Sequence, residues 1–586
     1  MRLAVMAVDF DGTIAHHDVM DPDIRPAIAA ARHAGIRVLL VTGRILGDLR
    51  RVAGNLHFVD AVVAENGAVL HFPDTGHTSL LAPPIHEEFV RELERSRIHF
   101  ARGRSIIDAS AEDAHRLLEV IRRLELPLVL AFNGGRVMVL PQGVSKASGL
   151  RSTLDTLRIS PRNMLALGDA ENDHEMLRLA EVGVAVAWGS QALCDAADIV
   201  LEGTGPAAVS AYIRQLADTC RLPAPRRARR RLMLGYTEDG EEFSLAVLGR
   251  NVLVAGDARS GKSWTAGLLC EQLILYGYCV CVIDPEGDYR TLEALPGVIV
   301  LGGDDPPPTP RELLRALRYP DRSVVIDLSK RTHDEKMDFI HAVLPALNEI
   351  RQRTGLPHRI VLDEAHYFLE GHNGMNLLDL EQNGYTVVTY WASRLPEALL
   401  DATEVMIVTR QSNPTEIEML RERCTHCDGV DPARWAILEN LRSGQAVALP
   451  VTAEAAGDLR LFTVAPRLTP HVRHREKYID VPVAERQAFV FTDGRRARTL
   501  RQFVEVLEAA SDTCFDGHLR RKDFSRWLAD VFGDYPLATQ VGALEAQYAA
   551  KPSQDAIPEI VAAIRSRYEL IEEDPFARPG HERAGG

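Results

Sequence analysis

The chain has 586 residues, of which 46% are hydrophobic and 25% charged, and its formal net charge is −15. This length exceeds a single core and predicts roughly three or four domains. The acidic balance argues against a chain whose whole surface binds nucleic acid. No apolar run approaches the ~20 residues that span a bilayer, so no membrane partner is expected.

Two further features predict a cytoplasmic protein. The N-terminal run MRLAVMAVDFDGT meets two acids and has no cleavage-type segment, so a signal peptide is not expected. The eight cysteines are few for this length and irregularly spaced, which argues against a disulfide framework and fits a reducing compartment.

Residues 1–217 alternate short apolar runs with helical patterns, which predicts an α/β domain. The strand candidates are LAVMAVDF, RVLLVTG, AVVAEN, NMLALGD and VGVAVA. The first ends in DFDGT, so Asp9 and Asp11 lie two apart at a strand end, where α/β folds bind ligands. One carboxylate can attack phosphorus while the other protonates the leaving oxygen and activates water. The motif alone also fits a plain Mg²⁺ site or a helix cap.

Further polar residues follow later segments of the same domain. Thr42, Gly43 and Arg44 come after the second strand, Lys146 comes before a helix, and GDAENDHEM places Asp169, Asn172 and Asp173 after another strand. In this order, and together with DFDGT, these motifs resemble the haloacid dehalogenase (HAD) superfamily over about residues 1–217, and its Cof-like type IIB branch in particular.

The resemblance implies a Rossmann-like HAD domain with a small α/β cap at about residues 83–140, and it implies a role for each motif. Asp9 would be the nucleophile that forms an aspartyl-phosphate, and Asp11 the general acid and base. Phosphate and substrate would be held by Thr42, Gly43, Lys146 and Asn172, and Mg²⁺ by Asp9, Asp11, Asp169 and Asp173. Asn66 and Asn133 match positions that face the substrate in similar proteins, although each also fits a turn.

Residues 218–232 include RLPAPRRARRRL, which is rich in Pro and Arg and lacks apolar periodicity, so a linker is predicted. We expect the five arginines at 226–231 to be solvated. Contact with phosphate or with an acidic surface is the alternative.

A second α/β series covers residues 233–466 and predicts a mostly parallel sheet with helices on both faces. Its strand candidates are NVLVAG, CVCVIDPEG, SVVIDLS, RIVLDEAH, TVVTYW, VMIVTR and QAVALP. The first ends in GDARSGKS, a P-loop between a strand and a helix. Its backbone N–H groups would cradle the phosphates of ATP, Lys262 would reach the β/γ oxygens and Ser263 would bind Mg²⁺. The predicted nucleotide-binding residues of the loop are Gly256, Ser260, Gly261, Lys262 and Ser263.

ATP hydrolysis needs an acid near the attacking water, and IVLDEAH supplies two acids at a strand end. Asp363 suits a contact to the water shell of Mg²⁺, and Glu364 suits polarisation of the attacking water. Since a P-loop kinase would not need that glutamate, the pair favours an ATPase. Asp327 in VVIDL competes with Asp363 for its role but has no following acid, so Asp363 is preferred.

Residues 233–466 resemble the HerA/FtsK branch of RecA-like P-loop ATPases. The resemblance is carried by LGY and EDGEEFSL before the P-loop, IDPEGDY at 283–289, IVLDEAH, and VVTYWASRLPEALL at 387–400. It implies self-association, because that branch typically forms rings that translocate DNA. Two features depart from the branch: Tyr390 stands where a sensor glutamine is expected, and the usual N-terminal β-barrel is replaced by the HAD domain. Arg394 and Arg410 fit surface arginines as well as fingers that reach a neighbour's phosphate.

The remaining segments carry weaker signals. Residues 467–572 show helical periodicity at Leu500, Phe503, Val504, Leu507 and at Ile557, Ile560, Val561, Ile564, which predicts a mainly helical module. Residues 573–586 are expected to be disordered. Cys424 and Cys427 form a lone CxxC with only His426 nearby, so a zinc site is not favoured.

The sequence therefore predicts a bifunctional α/β multidomain enzyme. A Mg²⁺-dependent HAD phosphatase would act on a small phosphorylated metabolite, a sugar or polyol phosphate, and a P-loop ATPase domain would regulate or assemble it. The alternative is a nucleic-acid-processing ATPase whose HAD domain trims phosphate ends. The net charge, Tyr390 and the missing barrel count against that alternative, whereas the arginines at 226–231 and the short cap, which leaves the site open, count for it.

Overall fold

The computed structural model describes residues 1–133, 135–225, 229–246, 249–370, 377–424, 432–449, 459–470, 483, 485–509, 512–532, 534–551 and 556–569. These residues form two compact units. The first comprises Met1–Arg230 with the short segments Arg318–Asp321 and Ile350–His358, and the second comprises the other described residues. Within the parts of the chain that the structure describes, no helix has both the length and the apolar character needed to cross a membrane.

The first unit alternates strands and helices. Its strands are β1 Val5–Asp9, β2 Ala15–His16, β3 Val19–Met20, β4 Arg37–Val41, β5 Ala61–Ala64, β6 Val69–His71, β7 Thr78–Leu80, β8 Phe100–Arg102, β9 Ile107–Ser110, β10 Leu128–Asn133, β11 Arg136–Pro141, β12 Met164–Gly168, β13 Val182–Val186 and β14 Ile199–Leu201. Its helices are α1 Ile24–His33, α2 Leu46–Ala53, α3 Glu87–Arg95, α4 Ala114–Arg123, α5 Lys146–Leu157, α6 His174–Leu179, α7 Gln191–Ala196 and α8 Pro206–Thr219.

The main sheet of this unit has the order β14-β13-β12-β1-β4-β5-β6-β7, with parallel pairing from β14 to β5. Its central strand β1 is buried on both faces: Val5 and Ala7 join one apolar cluster, and Met6 and Val8 join another. This double burial explains why the strand reads as a continuous apolar run. The predicted strands of the first series are confirmed as β1, β4, β5, β12 and β13.

The segment predicted as the cap, at about residues 83–140, folds into a separate antiparallel sheet in the order β10-β11-β9-β8. The helices α3 and α4 pack on it, with Phe89, Leu93, Leu117 and Ile121 in their shared core. We call this part the cap segment. Helix α3 lies within the stretch HEEFVRELERS and helix α4 within AEDAHRLLEVIRRL.

Regular structure enters the segment predicted as a linker from both sides. Helix α8 extends to Thr219 and the next strand begins at Leu232. Two arginines contact the first unit, since Arg229 donates to the Asp198 carboxylate and Arg230 lies 3.2 Å from Glu181 Oε2. The expectation that these two are solvated is therefore wrong, because acidic side chains and helix-end carbonyls accept from them. Arg226, Arg227 and Ala228 lie outside the described residues.

The second unit begins with a mixed sheet. Its strands are β15 Leu232–Tyr236, β16 Glu242–Leu245, β17 Asn251–Ala255, β18 Val280–Asp284, β19 Val298–Gly302, β20 Ser323–Asp327, β21 Arg359–Leu362, β22 Tyr385–Thr389, β23 Thr403–Val408, β24 Gln445–Leu449 and β25 Arg460–Val464. Its helices before residue 450 are α9 Lys262–Leu275, α10 Pro310–Ala316, α11 His333–Thr354, α12 His366–Leu369, α13 Glu397–Asp401, α14 Pro414–Arg423 and α15 Ile437–Asn440, with the last turns of α11 counted in the first unit.

The sheet order is β16-β15-β25-β24-β23-β17-β22-β21-β18-β20-β19. Pairing is parallel from β23 to β19 and antiparallel from β16 to β23. The prediction of a mostly parallel sheet agrees with this topology, whereas the antiparallel edge of β15, β16 and β25 is not signalled by a long apolar run. The P-loop strand β17 lies inside the sheet, between β23 and β22.

The C-terminal part of the unit has its own apolar core. It consists of the hairpin β26 Phe489–Val490 and β27 Arg496–Ala497 with α16 Leu500–Glu508, α17 Asp516–Arg521, α18 Asp523–Phe532, α19 Tyr535–Ala550 and α20 Ala556–Glu569. All eight residues whose periodicity predicts these helices are buried in the core, from Leu500 on α16 to Ile564 on α20. We call residues 485–569 the helical module. The predicted tail at 573–586 lies outside the described residues.

Candidate functional site

The first cluster of polar residues lies at the carboxyl ends of β1, β4 and β12. Because β1 pairs in parallel with both neighbours, these three ends meet at one edge of the sheet. Asp9 ends β1, Thr42 follows β4, and Asp169 follows β12. Asp9 and Thr42 are buried. The edge thus brings together residues that are far apart in the sequence.

Lys146, the first residue of α5, joins two of the carboxylates. Its Nζ lies 2.6 Å from Asp9 Oδ1 and 2.7 Å from Asp173 Oδ1. The other oxygen of Asp173 accepts the backbone N–H groups of Asp169 and Ala170, each at 3.1 Å. Burial opposes the charge on Lys146, but attraction to Asp173 and Asp9 outweighs it, so the pKa of the lysine is raised. The ammonium is therefore fixed and charged beside Asp9.

Three carboxylates at this edge fit a divalent cation. Oxygens of Asp9, Asp169 and Asp173 lie within 4.8 Å of one another. Burial, with repulsion from the neighbouring acids, raises the pKa of Asp9 and raises the pKa of Asp169 to about 6. One ammonium balances one of the three negative charges, so a hard cation with oxygen ligands such as Mg²⁺ suits the donor set. The predicted ligand Asp11 is not a member of this group.

The Asp11 side chain is instead held by Arg44. Arg44 Nε lies 3.0 and 2.7 Å from the two Asp11 oxygens, and its guanidinium also donates to Asp18 in the turn between β2 and β3. This fork-shaped contact fixes the orientation of the carboxylate. The Asp11 carboxylate is 38% exposed, so solvent or a ligand can reach it.

Gly12 allows the loop after β1 to approach Asp169. A Cβ at this position would lie 2.0 Å from Asp169 Oδ2, and its φ is +77°. Two contacts fix the loop: Trp188 Nε1 donates to the Gly12 carbonyl at 2.8 Å, and Thr13 Oγ1 donates to Asp169 Oδ1 at 3.3 Å. Only glycine fits here without displacing a carboxylate of the cluster.

Residues from three segments come together near Gly43 at this edge. A Cβ at Gly43 would lie 3.2 Å from Met138 Sδ of the cap segment and 3.8 Å from Asn172 Nδ2. Asn172 Nδ2 in turn lies 3.5 Å from Asn66 Oδ1. The predicted substrate-facing residues Gly43, Asn172 and Asn66 are thus brought together, while the side chain of Asn133 lies outside the described part.

Glu65 connects the main sheet to the cap segment. Its buried carboxylate accepts the N–H groups of Arg104 at 3.1 Å and Ser105 at 2.9 Å, between β8 and β9. Its own backbone has φ 53°, as has that of Asn66 at 52°. The end of β5 thus holds the turn of the cap segment through a side chain.

The second cluster surrounds the P-loop between β17 and α9. Lys262 Nζ donates to the carbonyl of Asp257 at 2.8 Å, and Ser260 Oγ lies 2.7 Å from the same carbonyl and 2.5 Å from Thr409 Oγ1. A Cβ at Gly256 would lie 2.1 Å from Thr409 Oγ1, and the φ of Gly256 is +150°. Gly261 and Ser263 lie at the start of α9. Strand β23 therefore shapes the loop through Thr409.

Two acids follow β21, on the other side of β22 from the P-loop strand. Asp363 and Glu364 are buried, and Glu364 has φ 49°, a left-handed conformation that costs about 1 kcal/mol or more in a residue with a Cβ. Asp327 ends β20, which is farther from β17 in the sheet, and its carboxylate lies 3.3 Å from Arg290 Nε. Sheet order therefore supports the preference for Asp363 over Asp327.

Tyr390 follows β22 and lies between the acids and the P-loop. Its ring packs edge-on against His366 at 4.3 Å between centroids, and its centroid is 5.8 Å from Lys262 Nζ. Burial, with repulsion from Glu364, raises the pKa of Tyr390. His366 Nδ1 lies 2.9 Å from Thr389 Oγ1, and burial lowers the pKa of its ring. An aromatic ring thus occupies the position where the sequence pattern leads one to expect an amide.

Comparison with known proteins matches the segments that carry the two clusters to different families. Residues 6–101 and 102–213 match the family model of haloacid dehalogenase-like hydrolases. A phosphoglycolate phosphatase of Archaeoglobus fulgidus is 30% identical over 204 residues, which are 33% of this chain and 88% of that protein. The chain belongs to the haloacid dehalogenase-like hydrolases.

Further matches cover the first part of this hydrolase and a segment of the second. A phosphoglycolate phosphatase of Methanothermobacter thermautotrophicus is 27% identical over 219 residues, 36% of this chain and 98% of that protein. A solved haloacid dehalogenase-like hydrolase from B. subtilis has a TM-score of 0.32 at 19% identity, covering 36% of this chain and 99% of that one. Residues 243–351 match the family model of the central domain of the helicase HerA.

Three further candidate residues belong to the second unit of the hydrolase. Two of them contact neighbouring side chains, and the third lies outside the described residues. Arg394 stacks on the Trp391 ring with its guanidinium carbon 3.4 Å from the centroid, and Arg410 Nε lies 3.6 Å from Asp257 Oδ2. These contacts fit surface or loop-supporting arginines, and the role of fingers stays a prediction. Cys427, with His426, lies outside the described residues.

Several residues of the first cluster carry no clear signal in the sequence. Trp188 and Met138 reach it from distant segments, and no local motif marks either of them. Arg44 stands beside Thr42 in VTGR, but its partner Asp11 is found only through the pairing of β4 with β1. Glu65 in AENG could have been noticed as an acid at a strand end next to a candidate asparagine.

Proposed function

We propose that this hydrolase is a bifunctional cytoplasmic enzyme. Its first unit would be a Mg²⁺-dependent phosphatase that hydrolyses a small phosphate monoester through an aspartyl-phosphate, and its second unit would bind and hydrolyse ATP. The observation that carries the proposal is the buried contact of Lys146 with Asp9, at 2.6 Å, beside Asp169 and Asp173. A nucleophilic carboxylate that must approach an anionic phosphate needs positive charge, which Lys146 and a cation held by these acids would supply.

In the phosphatase reaction, Asp9 would attack phosphorus with the carboxylate oxygen that does not contact Lys146. The ammonium of Lys146 and the hydroxyl of Thr42 would bind phosphoryl oxygens and offset the charge that develops on them. Mg²⁺, held by Asp9, Asp169 and Asp173, would neutralise charge on the phosphate. The aspartyl-phosphate of Asp9 would then be cleaved by water.

Asp11 would transfer the protons in both steps. It would give a proton to the leaving oxygen and then accept one from the attacking water. The bidentate contact with Arg44 keeps its carboxylate in one orientation, which supports a role that depends on the direction of proton transfer. In this scheme Arg44 is a positioning residue, and it must release Asp11 or turn with it as the proton is transferred.

The substrate would be small. Met138, Asn172 and Asn66 gather near Gly43, so the cap segment narrows the entrance to the edge that holds Asp9. We favour a sugar or polyol phosphate, and the relatives named phosphoglycolate phosphatase make phosphoglycolate the second compound to test. Each has a single phosphate monoester on a short polar body.

The ATP reaction rests on the P-loop and on the acids after β21. Asp363 would contact the water shell of Mg²⁺ on the nucleotide, and Glu364 would polarise the attacking water. Self-association through this unit would follow from its resemblance to the HerA/FtsK branch, whose members typically form rings. The match to the central domain of the helicase HerA also supports a second candidate function, an ATPase that processes nucleic acid.

Reciprocal substitutions test the two-site proposal. Asp9→Asn should lower phosphate release from a sugar phosphate at least about a thousandfold, because the nucleophile is lost, and leave ATP hydrolysis intact. Lys262→Ala should do the reverse. Loss of both activities in either variant would contradict the proposal. Measuring ATP hydrolysis with and without DNA decides between the two candidates, since stimulation by DNA would favour the nucleic-acid ATPase.

A further inference from the structure

The helical module contacts the nucleotide site of its own unit. A cleft above the P-loop is lined by Asp257 and Ala258 of the loop and by Tyr390 after β22. Its other wall is formed by Phe532, Asp534 and Arg567 of the helical module. Ala258 and Tyr390 also pack against the apolar core of that module. The loop that would hold phosphate and the C-terminal helices therefore share one surface.

Arg567, on α20, contributes its guanidinium group to that wall. Its Nε lies 2.9 Å from Asp534 Oδ2, and one of its terminal nitrogens lies 3.2 Å from Asp534 Oδ1. The Asp534 side chain is 2% exposed and the Arg567 side chain 21%. Asp534 is anchored independently of the arginine, because its side chain caps α19 by accepting the Leu537 N–H at 3.2 Å. Asp534 thus keeps a contact of its own if the guanidinium turns to another anion.

We propose that Arg567 is a phosphate-binding residue of the nucleotide site, and that a nucleoside triphosphate in the P-loop takes it from Asp534. The proposal rests on the ATP-binding function proposed above. The forked guanidinium that fits a carboxylate also fits a phosphate, and a triphosphate carries more negative charge than one carboxylate. The acids Asp257 and Asp534 both line the cleft and would repel an anionic ligand. The positive charge of Arg567 in the same cleft opposes this repulsion and attracts phosphate.

The exchange would couple the nucleotide to the helical module. When Arg567 contacts phosphate, α20 is held to the P-loop by the ligand, and when it contacts Asp534, α20 is held to the start of α19. A ligand that favours one arrangement shifts the population toward it. In contrast to a finger from a neighbouring subunit, this arginine belongs to the same chain, so the response does not require a ring.

Calorimetric titration of the full-length protein with ATP and Mg²⁺ tests the proposal. Arg567→Ala should weaken ATP binding by about tenfold or more, because a charge-assisted contact to phosphate is lost. Arg565→Ala is the matched control: it lies on the same helix and pairs with Glu508, with 46% of its side chain exposed, and should change binding by less than about twofold.

Asp534→Asn separates ligand binding from a structural role. Asparagine keeps the helix cap but holds the guanidinium less strongly, so ATP should bind several-fold more tightly. A merely structural ion pair would give weaker binding in both the Asp534 and Arg567 variants. Equal affinities in Arg567→Ala and Arg565→Ala would likewise overturn the proposal.

Two further measurements keep the test decisive. If Arg567→Ala does not fold, Arg567→Lys retains the charge without the fork and should still weaken ATP binding, whereas unchanged affinity would overturn the proposal. If the wild-type protein binds ATP and Lys262→Ala abolishes this binding, the ATP site is established independently of the Arg567 result. Absence of ATP binding in the wild-type protein would overturn the proposed ATP function and this inference together.

Discussion

The two units each place a lysine where phosphate would bind, but the lysines have different partners. Lys146 is buried between two carboxylates, at 2.6 and 2.7 Å. Lys262 donates to a neutral carbonyl of its own loop at 2.8 Å and faces the Tyr390 ring. The lysine of the first site is thus paired with carboxylates of the protein before any ligand arrives. In the second site, Lys262 must leave the Asp257 carbonyl to reach a phosphate.

The largest expected effect is on local stability. Lys146→Met leaves Asp9 and Asp173 buried without their cation, which should cost about 3–5 kcal/mol in the first unit. Lys262→Met removes the hydrogen bond to the neutral Asp257 carbonyl, which should cost about 1–2 kcal/mol in the second. Hydrogen exchange followed by mass spectrometry reports each unit separately, through peptides that contain β1 or β17.

Exchange in β1 should therefore accelerate by roughly two to four orders of magnitude in Lys146→Met when opening is rare. Each variant is the control for the other unit, since exchange in β17 should not respond to Lys146→Met. Equal costs for the two substitutions would remove the distinction between a lysine paired with buried carboxylates and a lysine held by a neutral carbonyl.

An intermediate effect is expected at Arg44. Arg44→Lys keeps a positive charge but cannot hold both Asp11 oxygens, so the phosphatase kcat should fall about tenfold with little change in KM. Arg51→Lys is the matched control, because Arg51 pairs with Asp48 on the exposed face of α2. A change in KM with kcat unchanged would assign Arg44 to substrate binding instead of positioning.

The smallest effect is expected at Tyr390. Tyr390→Gln supplies an amide that can polarise water near Glu364 and should raise ATP turnover about two- to fivefold. Tyr390→Phe keeps the ring on His366 and should stay close to wild type. If both substitutions lower turnover, the hydroxyl of Tyr390 itself takes part, and the site does not lack a sensor group.

The sequence predicts the parts of this molecule that depend on short-range patterns. Strands buried on both faces, such as β1 and β17, read as apolar runs, and Asp9 and Lys262 lie in motifs with fixed spacing. The edge strand β16 and the cap strands β8 and β9 are partly exposed, so no comparable run marks them. Contacts such as Arg44 with Asp11, or Arg567 with Asp534, depend on which elements meet in space, and spacing along the chain does not encode that directly.

Glu65 sets a fixed point for movement within the first unit. Its carboxylate accepts two N–H groups from the turn between β8 and β9. A movement that carried this turn away would leave a buried carboxylate without those donors, at a cost of about 1–3 kcal/mol for each lost contact. Rotation of the cap segment about the same point keeps both contacts. A movement of the cap segment that exchanges substrate would then pivot at this turn.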